Sequence, residues 1–310
     1  MARKAKVVVI GSANTDMVIN SEQLPTPGET VLGGIFMRHP GGKGANQAVA
    51  AARAGAEVYF IGKLGIDIFG DETLNNLKQE GIKTDFIYRD SNNASGVALI
   101  MVDTHGENLI SVAPGSNGNL LTGEIEAAKE IIEAADILLL QMEIPFDTVL
   151  SSISLAEKLG TPIILNPAPA PKQEIPPNIF KKLDYLTPNK GELETITRST
   201  ILKKADIVAK AYKLLHLGVK NVLTTLGTQG SLLINSNLTH EIPAFPVKAI
   251  DAVGAGDCFN GCLATALAEG KEMIEAIRFA SAAAAISVTR RGAQPSLPKR
   301  TEIEEKLTNS

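Results

Sequence analysis

The sequence predicts an α/β fold, with a central, mostly parallel sheet flanked by helices and a small β-sheet projecting from it. Three observations predict this. Short apolar, β-branched runs recur along the 310 residues. Helix-like stretches separate many of them. Two segments break this rhythm with β character of their own.

In chain order, Val7-Val8-Val9-Ile10 stops at Gly11 and reads as a buried strand. Similar runs follow at Val58 to Gly62, Ile137 to Leu140, Ile163 to Asn166 and Val222 to Leu226. Helical patterns fall at Ala45 to Ala54, Gly123 to Ala135, Phe146 to Leu159 and Lys204 to Leu217. Strand alternating with helix gives a parallel sheet covered on both faces. The first exceptional segment, 17–38, is rich in Pro, Gly and Thr. The second, 85–112, holds an alternating run from Gly96 to Val102, a turn at His105-Gly106 and a second run from Asn108 to Val112. That is a hairpin pattern. Both segments are expected in the projecting sheet, a lid or dimer surface on a single domain spanning 1–310. Pro167 to Pro177 reads as an ordered loop.

Composition limits the function. With 30 basic and 34 acidic residues, the net charge of −4 offers no general field for nucleic acid or an anionic membrane. The apolar start, Val7 to Ile10, is too short for a signal-peptide core, and no run is long enough to span a membrane. The two cysteines, Cys258 and Cys262, lie four apart on a helical pattern and read as small core residues in a reducing compartment. A soluble, cytoplasmic protein is expected.

Five motifs could carry chemistry. Asp251-Ala252-Val253-Gly254-Ala255-Gly256-Asp257 follows a β-like run, Phe245 to Ile250, and precedes a helix of small residues from Gly261 to Ala268. Gly-Ala-Gly at a helix start bares amides that suit an anion. A carboxylate there repels phosphate, so Asp257 either takes a proton from an attacking hydroxyl or merely caps the helix. Gly41-Gly42-Lys43-Gly44-Ala45-Asn46-Gln47 opens an alanine-rich helix, with Lys43 and Asn46 on one face. Those two could donate to hydroxyls, or the glycines could serve tight packing beside a solvated lysine.

Asn14-Thr15-Asp16 follows the first strand, where parallel sheets form ligand crevices, although the same residues also suit a turn. Asn189 and Glu192 share a helix face, as water-mediated Mg²⁺ ligands or as a capping box. Thr225-Leu226-Gly227-Thr228-Gln229-Gly230 could pass a nucleotide or connect a hairpin into Ser231 to Ile234. Glu143 also follows a strand. A P-loop is missing, because Met37 stands where its first glycine belongs, and Phe259 replaces the third glycine of a dinucleotide fingerprint. His39, His105, His216 and His240 are scattered.

Together the motifs resemble the ribokinase family of carbohydrate kinases, also called the phosphofructokinase-B type. The 41–47 segment is similar to its N-terminal signature and 251–257 to its C-terminal one. Asn189-x-x-Glu192 is similar to its Mg²⁺-linked motif, and Val288 to Ser296 to its C-terminal region. The motifs cover nearly the whole chain in the family's order. Gly41 to Ala51, Asn14-Thr15-Asp16 and Ala280 to Ile286 are similar to the members that phosphorylate ribose.

The resemblance implies a ribokinase-like α/β domain with a β lid, dimers formed through the lids, and D-ribose and ATP as substrates giving ribose 5-phosphate and ADP. Carried over, Asn14, Asp16, Gly42, Lys43, Asn46, Glu143 and Asp257 bind the sugar, and Asp257 is the general base. Gly254, Ala255 and Gly256 form the anion hole. Asn189, Thr225, Gly227, Gly230, Gly256 and Ser281 line the ATP site, and Glu192 organises Mg²⁺ indirectly. A monovalent cation, K⁺, is implied at Asp251, Val253, Ser287, Arg290, Gly292 and Ser296. Ala252 departs from the usual Ser or Thr after Asp251, which puts cation affinity in doubt but leaves carbonyl ligands in place. The rivals are another sugar or nucleoside kinase of the family and a non-catalytic sugar-binding regulator. A content of 4% aromatic residues argues against a stacked nucleobase as acceptor.

Overall fold

In a computed structural model, residues 3–309 are described. The expected 1–310 domain therefore extends to three terminal residues outside the described ones. The strands are β1 (Lys6–Ile10), β2 (Asn14–Asn20), β3 (Ile35–Gly41), β4 (Glu57–Gly65), β5 (Lys83–Asp90), β6 (Gly96–Val102), β7 (Asn108–Ala113), β8 (Ile137–Leu140), β9 (Ile163–Leu165), β10 (Tyr185–Leu186), β11 (Asn221–Thr225), β12 (Ser231–Asn235) and β13 (Thr239–Ile242). The helices are α1 (Lys43–Arg53), α2 (Ile68–Gln79), α3 (Thr122–Ala127), α4 (Lys129–Glu133), α5 (Phe146–Leu159), α6 (Pro177–Phe180), α7 (Lys190–Thr197), α8 (Lys204–His216), α9 (Ala255–Ala268), α10 (Met273–Ser287) and α11 (Arg300–Thr308).

The main sheet runs β13-β12-β11-β10-β9-β8-β1-β4-β5 and is parallel from β11 to β5, while β12 and β13 add antiparallel. Its centre is buried on both sides. Val7 and Val9 of β1 pack with α1, α9 and α10, while Val8 and Ile10 pack with residues of α5, α7 and α8. Alternate residues of a strand face opposite sides, so both must be apolar here. This explains why β1 reads as an unbroken apolar run.

The small sheet runs β3-β2-β6-β7, with β2 and β6 parallel and the outer pairs antiparallel. Its extent differs from the expected 17–38 and 85–112. β2 already starts at Asn14, and residues 85–90 belong to β5, paired with β4 at the edge of the main sheet. A parallel edge strand reached through α2 carries no local hairpin signal, so composition alone assigned it wrongly.

Other differences have local causes. Phe245 to Ile250 forms no strand: Pro246 removes an amide and 246–250 lie exposed. The helix expected over 123–135 is two short helices meeting at Ala128. Thr225 to Gly230 is the hairpin connection between β11 and β12. No helix among the described residues is long and apolar enough to cross a membrane.

Candidate active site

The site is set by two helices meeting backbone to backbone. A Cβ on Gly261 of α9 would lie 2.4 Å from the Gln47 carbonyl of α1, so only glycine lets the helices approach this closely. Thr265 ties the contact by donating to the Ala51 carbonyl at 3.2 Å. Cys258 and Cys262 are free and buried in this seam. The approach places Asp257, in the first turn of α9, against Asn46 and Gln47.

Asp257 is not a helix cap. The N-cap is Gly254, at φ 74°, and the Asp257 carboxylate turns away from the backbone. Its Oδ2 accepts from Asn46 Nδ2 and its Oδ1 from Gln47 Nε2, both at 2.9 Å. Asp257 is 6% exposed.

Of the three residues expected to form an anion hole, Ala255 has its amide engaged. The Ala255 amide donates to the Ala252 carbonyl at 3.2 Å, as a turn requires. Among the described residues, the amides of Gly254, Gly256 and Asp257 have no protein acceptor. A Cβ on Gly256 would meet nothing within 4 Å, so space is open beside this residue. A helix N-terminus with free amides and free space suits an anion.

Around Asp257 the structure gathers Asp16, Lys43, Asn46 and Glu143. Glu143 Oε2 accepts from the Ser12 hydroxyl at 2.5 Å and from the Lys43 amide at 2.9 Å. Gly42 takes φ 85°, and a Cβ there would stand 2.7 Å from the Ala13 Cα. Gly41 leaves room for the Asp16 carboxyl, which a Cβ would meet at 2.2 Å. Burial, then the neighbouring Glu143 and Asp257 carboxylates, push the Asp16 pKa up to about 6 against the pull of Lys43. Burial works against the Lys43 ammonium, but Asp257, Glu143, Glu192 and Asp16 outweigh it and hold its pKa above the ordinary value. Lys43 thus faces four carboxylates.

Asn14 is buried, and its Oδ1 accepts from Asn117 Nδ2 at 2.7 Å. Asn117 also grips the Ala13 backbone, through a bond from the Ala13 amide at 2.9 Å and one to its carbonyl at 3.1 Å. Asn117 escaped the sequence reading, although the polar turn Pro114-Gly-Ser-Asn-Gly-Asn119 was a signal. Gln47, Gln141 and Asn166 were also missed as site residues. Gln47 lay inside a recognised motif but held no assigned role.

A cleft of about 660 Å³ opens beside α7. Asn189, Thr225 and Gly227, three of the residues expected at a nucleotide, line it. Gly230, Gly256 and Ser281 do not. Gly230 is needed elsewhere, since a Cβ would stand 2.0 Å from the Ile242 carbonyl of β13. Leu202, Lys203 and Lys204, outside every motif of the sequence, also line the cleft, with Lys190 and Gln229. Asn189 and Glu192 take the capping-box reading, with Asn189 Oδ1 accepting from the Glu192 amide at 2.9 Å and Glu192 Oε2 accepting from the Asn189 amide at 2.8 Å. Burial raises the Glu192 pKa, opposed by the Asn189 amide and by Lys43. That mutual influence of Glu192 with Lys43 and Asp257 sets the cleft and the Asp257 pocket side by side around the start of α7.

The loops at 251–254 and 287–296 are clamped together. Asp251 accepts from the Val253 amide at 2.9 Å and the Gly292 amide at 2.8 Å, and the Ile250 amide donates to the Val288 carbonyl at 2.7 Å. The Arg290 guanidinium pairs with Glu302.

The pfkB carbohydrate kinase family model matches residues 4–300. The ribokinase of Bacillus subtilis is 41% identical over 302 residues, covering 97% of this chain and 99% of that protein. The crystal structure of a Thermotoga maritima ribokinase is 42% identical, with a TM-score of 0.90 over 99% of this chain and all of that one. An Arabidopsis thaliana ribokinase, solved with ribose and ATP, is 34% identical with a TM-score of 0.90 over the full length of both chains. With signatures, fold and site geometry in agreement, the chain belongs to the pfkB family of carbohydrate kinases.

Proposed function

We propose that the chain transfers the γ-phosphoryl group of ATP to the 5-hydroxyl of D-ribose, with Asp257 as the general base. The observation that carries this reading is the pairing of a buried carboxylate with free amides beside open space in one helix turn. A phosphate-binding turn has no use for a negative charge unless that charge accepts a proton.

Ribose would be held by Asn14, Asp16, Gly42, Lys43, Asn46 and Glu143. Carboxylates accept from its hydroxyls, and Lys43 and Asn46 donate. Asn46 Oδ1 is buried without a protein partner beside Asp257 and remains an acceptor for a sugar hydroxyl. The 5-hydroxyl proton passes to Asp257, its oxygen bonds to the γ-phosphorus, and the bond from that phosphorus to the bridging oxygen of ADP breaks. The Gly254, Gly256 and Asp257 amides receive the charge on the transferring group with little reorganisation.

Residues for metals fit in part. No cluster of three or more His, Cys, Asp or Glu side chains among the described residues could hold a metal ion directly. Glu192 keeps lone pairs beyond its cap bonds, which suits Mg²⁺ bound through water and the nucleotide's phosphates. Mg²⁺ with ATP neutralises charge on the phosphate oxygens. The clamped loops at 251–254 and 287–296 would hold K⁺ through carbonyl oxygens, a set that Ala252 leaves intact.

The small sheet acts as the lid, since Asp16 on β2 reaches the site. By strand alternation and register, Ile19, Phe36, Leu99 and Leu109 share the face opposite Asp16, all exposed. An apolar face of this kind is an interaction surface, and a second copy of the chain is its occupant. The free, buried cysteines support a reducing, cytoplasmic location.

The test is ADP release from ATP and Mg²⁺ with D-ribose, 2-deoxyribose, fructose or adenosine, with and without K⁺. The reading expects turnover with ribose, raised by K⁺. Preference for another acceptor would overturn the substrate, and no ADP with any acceptor would overturn the kinase assignment in favour of a sugar-binding regulator.

A further inference from the structure

We propose that Gln47 is the positioning residue of the Asp257 base, and that Gln141 and Asn166 fix Gln47 in turn. The proposal rests on the reading of Asp257 as base. Gln47 is fully buried on α1. Its Nε2 donates to Asp257 Oδ1 at 2.9 Å and to Asn166 Oδ1 at 3.0 Å, which uses both N–H groups. Its Oε1 accepts from Gln141 Nε2 at 2.7 Å. Asn166 is itself pinned, because its Nδ2 donates to the Thr187 carbonyl at 3.1 Å. A reversed Gln47 amide would place oxygen against oxygen at both Asp257 and Asn166, so the network permits one orientation.

The consequence falls on the carboxylate. Asn46 and Gln47 hold one oxygen each, which stops rotation and leaves lone pairs for the incoming hydroxyl. Asn46 has a competing duty, since it also faces the sugar. Gln47 has none, so its bond survives as ligands enter and leave. The charged groups acting on Asp257 are Lys43, Asp16 and Glu192. An N–H donated to the carboxylate favours the ionised form that a base must have. Gln47 therefore sets the angle of the carboxylate.

The experiment follows kcat against pH, with saturating ribose, ATP and Mg²⁺, for Gln47→Met and Gln141→Met, each also in an Asp257→Asn background. Gln47→Met keeps the volume and removes the donor. The expected result is a loss of roughly tenfold to a hundredfold in kcat from misorientation. The acidic limb should move up by about one pH unit, as loss of a hydrogen bond to a charged group implies. The KM for ribose should stay within about threefold, because Gln47 does not face the sugar. In the Asp257→Asn background the further loss should be below about twofold, as expected for groups that act as a unit.

Gln141→Met reaches Asp257 only through Gln47 and should shift the same limb upward by less. It carries the test if Gln47→Met does not fold. An unmoved limb in a folded variant, or an equal loss in both backgrounds, overturns the positioning role. Near-normal turnover in Asp257→Asn alone overturns the base, and so separates that failure from this one.

Discussion

Asp16 offers a perturbation whose size follows from its surroundings. Burial and the Glu143 and Asp257 carboxylates move its pKa from 3.8 to about 6. About two units at ~1.36 kcal/mol each give a ceiling of ~3 kcal/mol. Asp16 is only half-buried, so water screens part of this and ~1–2 kcal/mol is expected. A carboxyl with a raised folded-state pKa holds its proton more tightly folded than unfolded. Its stabilising contribution is therefore complete below about pH 4 and is lost as pH rises through about 6. Asp16→Asn removes that loss. Urea unfolding of both proteins between pH 4.5 and 8 should show the variant gaining ~1–2 kcal/mol on the parent across the range. The same carboxylate should accept from ribose hydroxyls, so sugar affinity should fall as pH drops through 6 and should be weak in the variant at every pH. Parallel stability curves, or ribose affinity untouched by the substitution, would refute the reasoning.

Other substitutions separate site from scaffold. Gly256→Val fills the open space beside this residue, and kcat should drop by about 10²- to 10³-fold with little change in Tm. Gly42→Ala should do the reverse first: its Cβ meets the Ala13 backbone in a left-handed conformation, so thermal unfolding should show a loss of about 1–3 kcal/mol. Phe36→Asp with Leu99→Asp should turn a dimer into a monomer in sedimentation experiments. A monomeric parent would refute the second copy as occupant of that face.

Much of the fold was legible because the centre of the sheet is covered on both faces. β1, β8 and β9 had to be continuous apolar runs, and α5 showed its boundaries in full. Edge elements were harder. β5 and β13 lie at the two edges and are half-exposed, and β10, although inside the sheet, is only two residues long. Of the site, the residues at glycine-rich helix starts were legible, because open amides and close packing demand glycine. The polar network behind them was not. Gln47, Gln141 and Asn166 come from three distant segments, and each alone resembles any buried amide. The occupied Ala255 amide was equally hidden, since the turn that uses it depends on three-dimensional geometry. The lining of the cleft by Lys190, Lys203 and Lys204 follows from the approach of α7 and α8, which no local pattern announces.

The central claim is that Asp257 takes the proton from the attacking hydroxyl. Asp257→Asn keeps the shape and both neighbouring amides while removing the base. Single-turnover phosphoryl transfer to D-ribose, followed together with ATP binding, tests it most directly. A loss of about 10²- to 10⁴-fold in the transfer rate with ATP affinity within a few-fold is the predicted result. Transfer at a rate close to that of the parent protein would contradict the account.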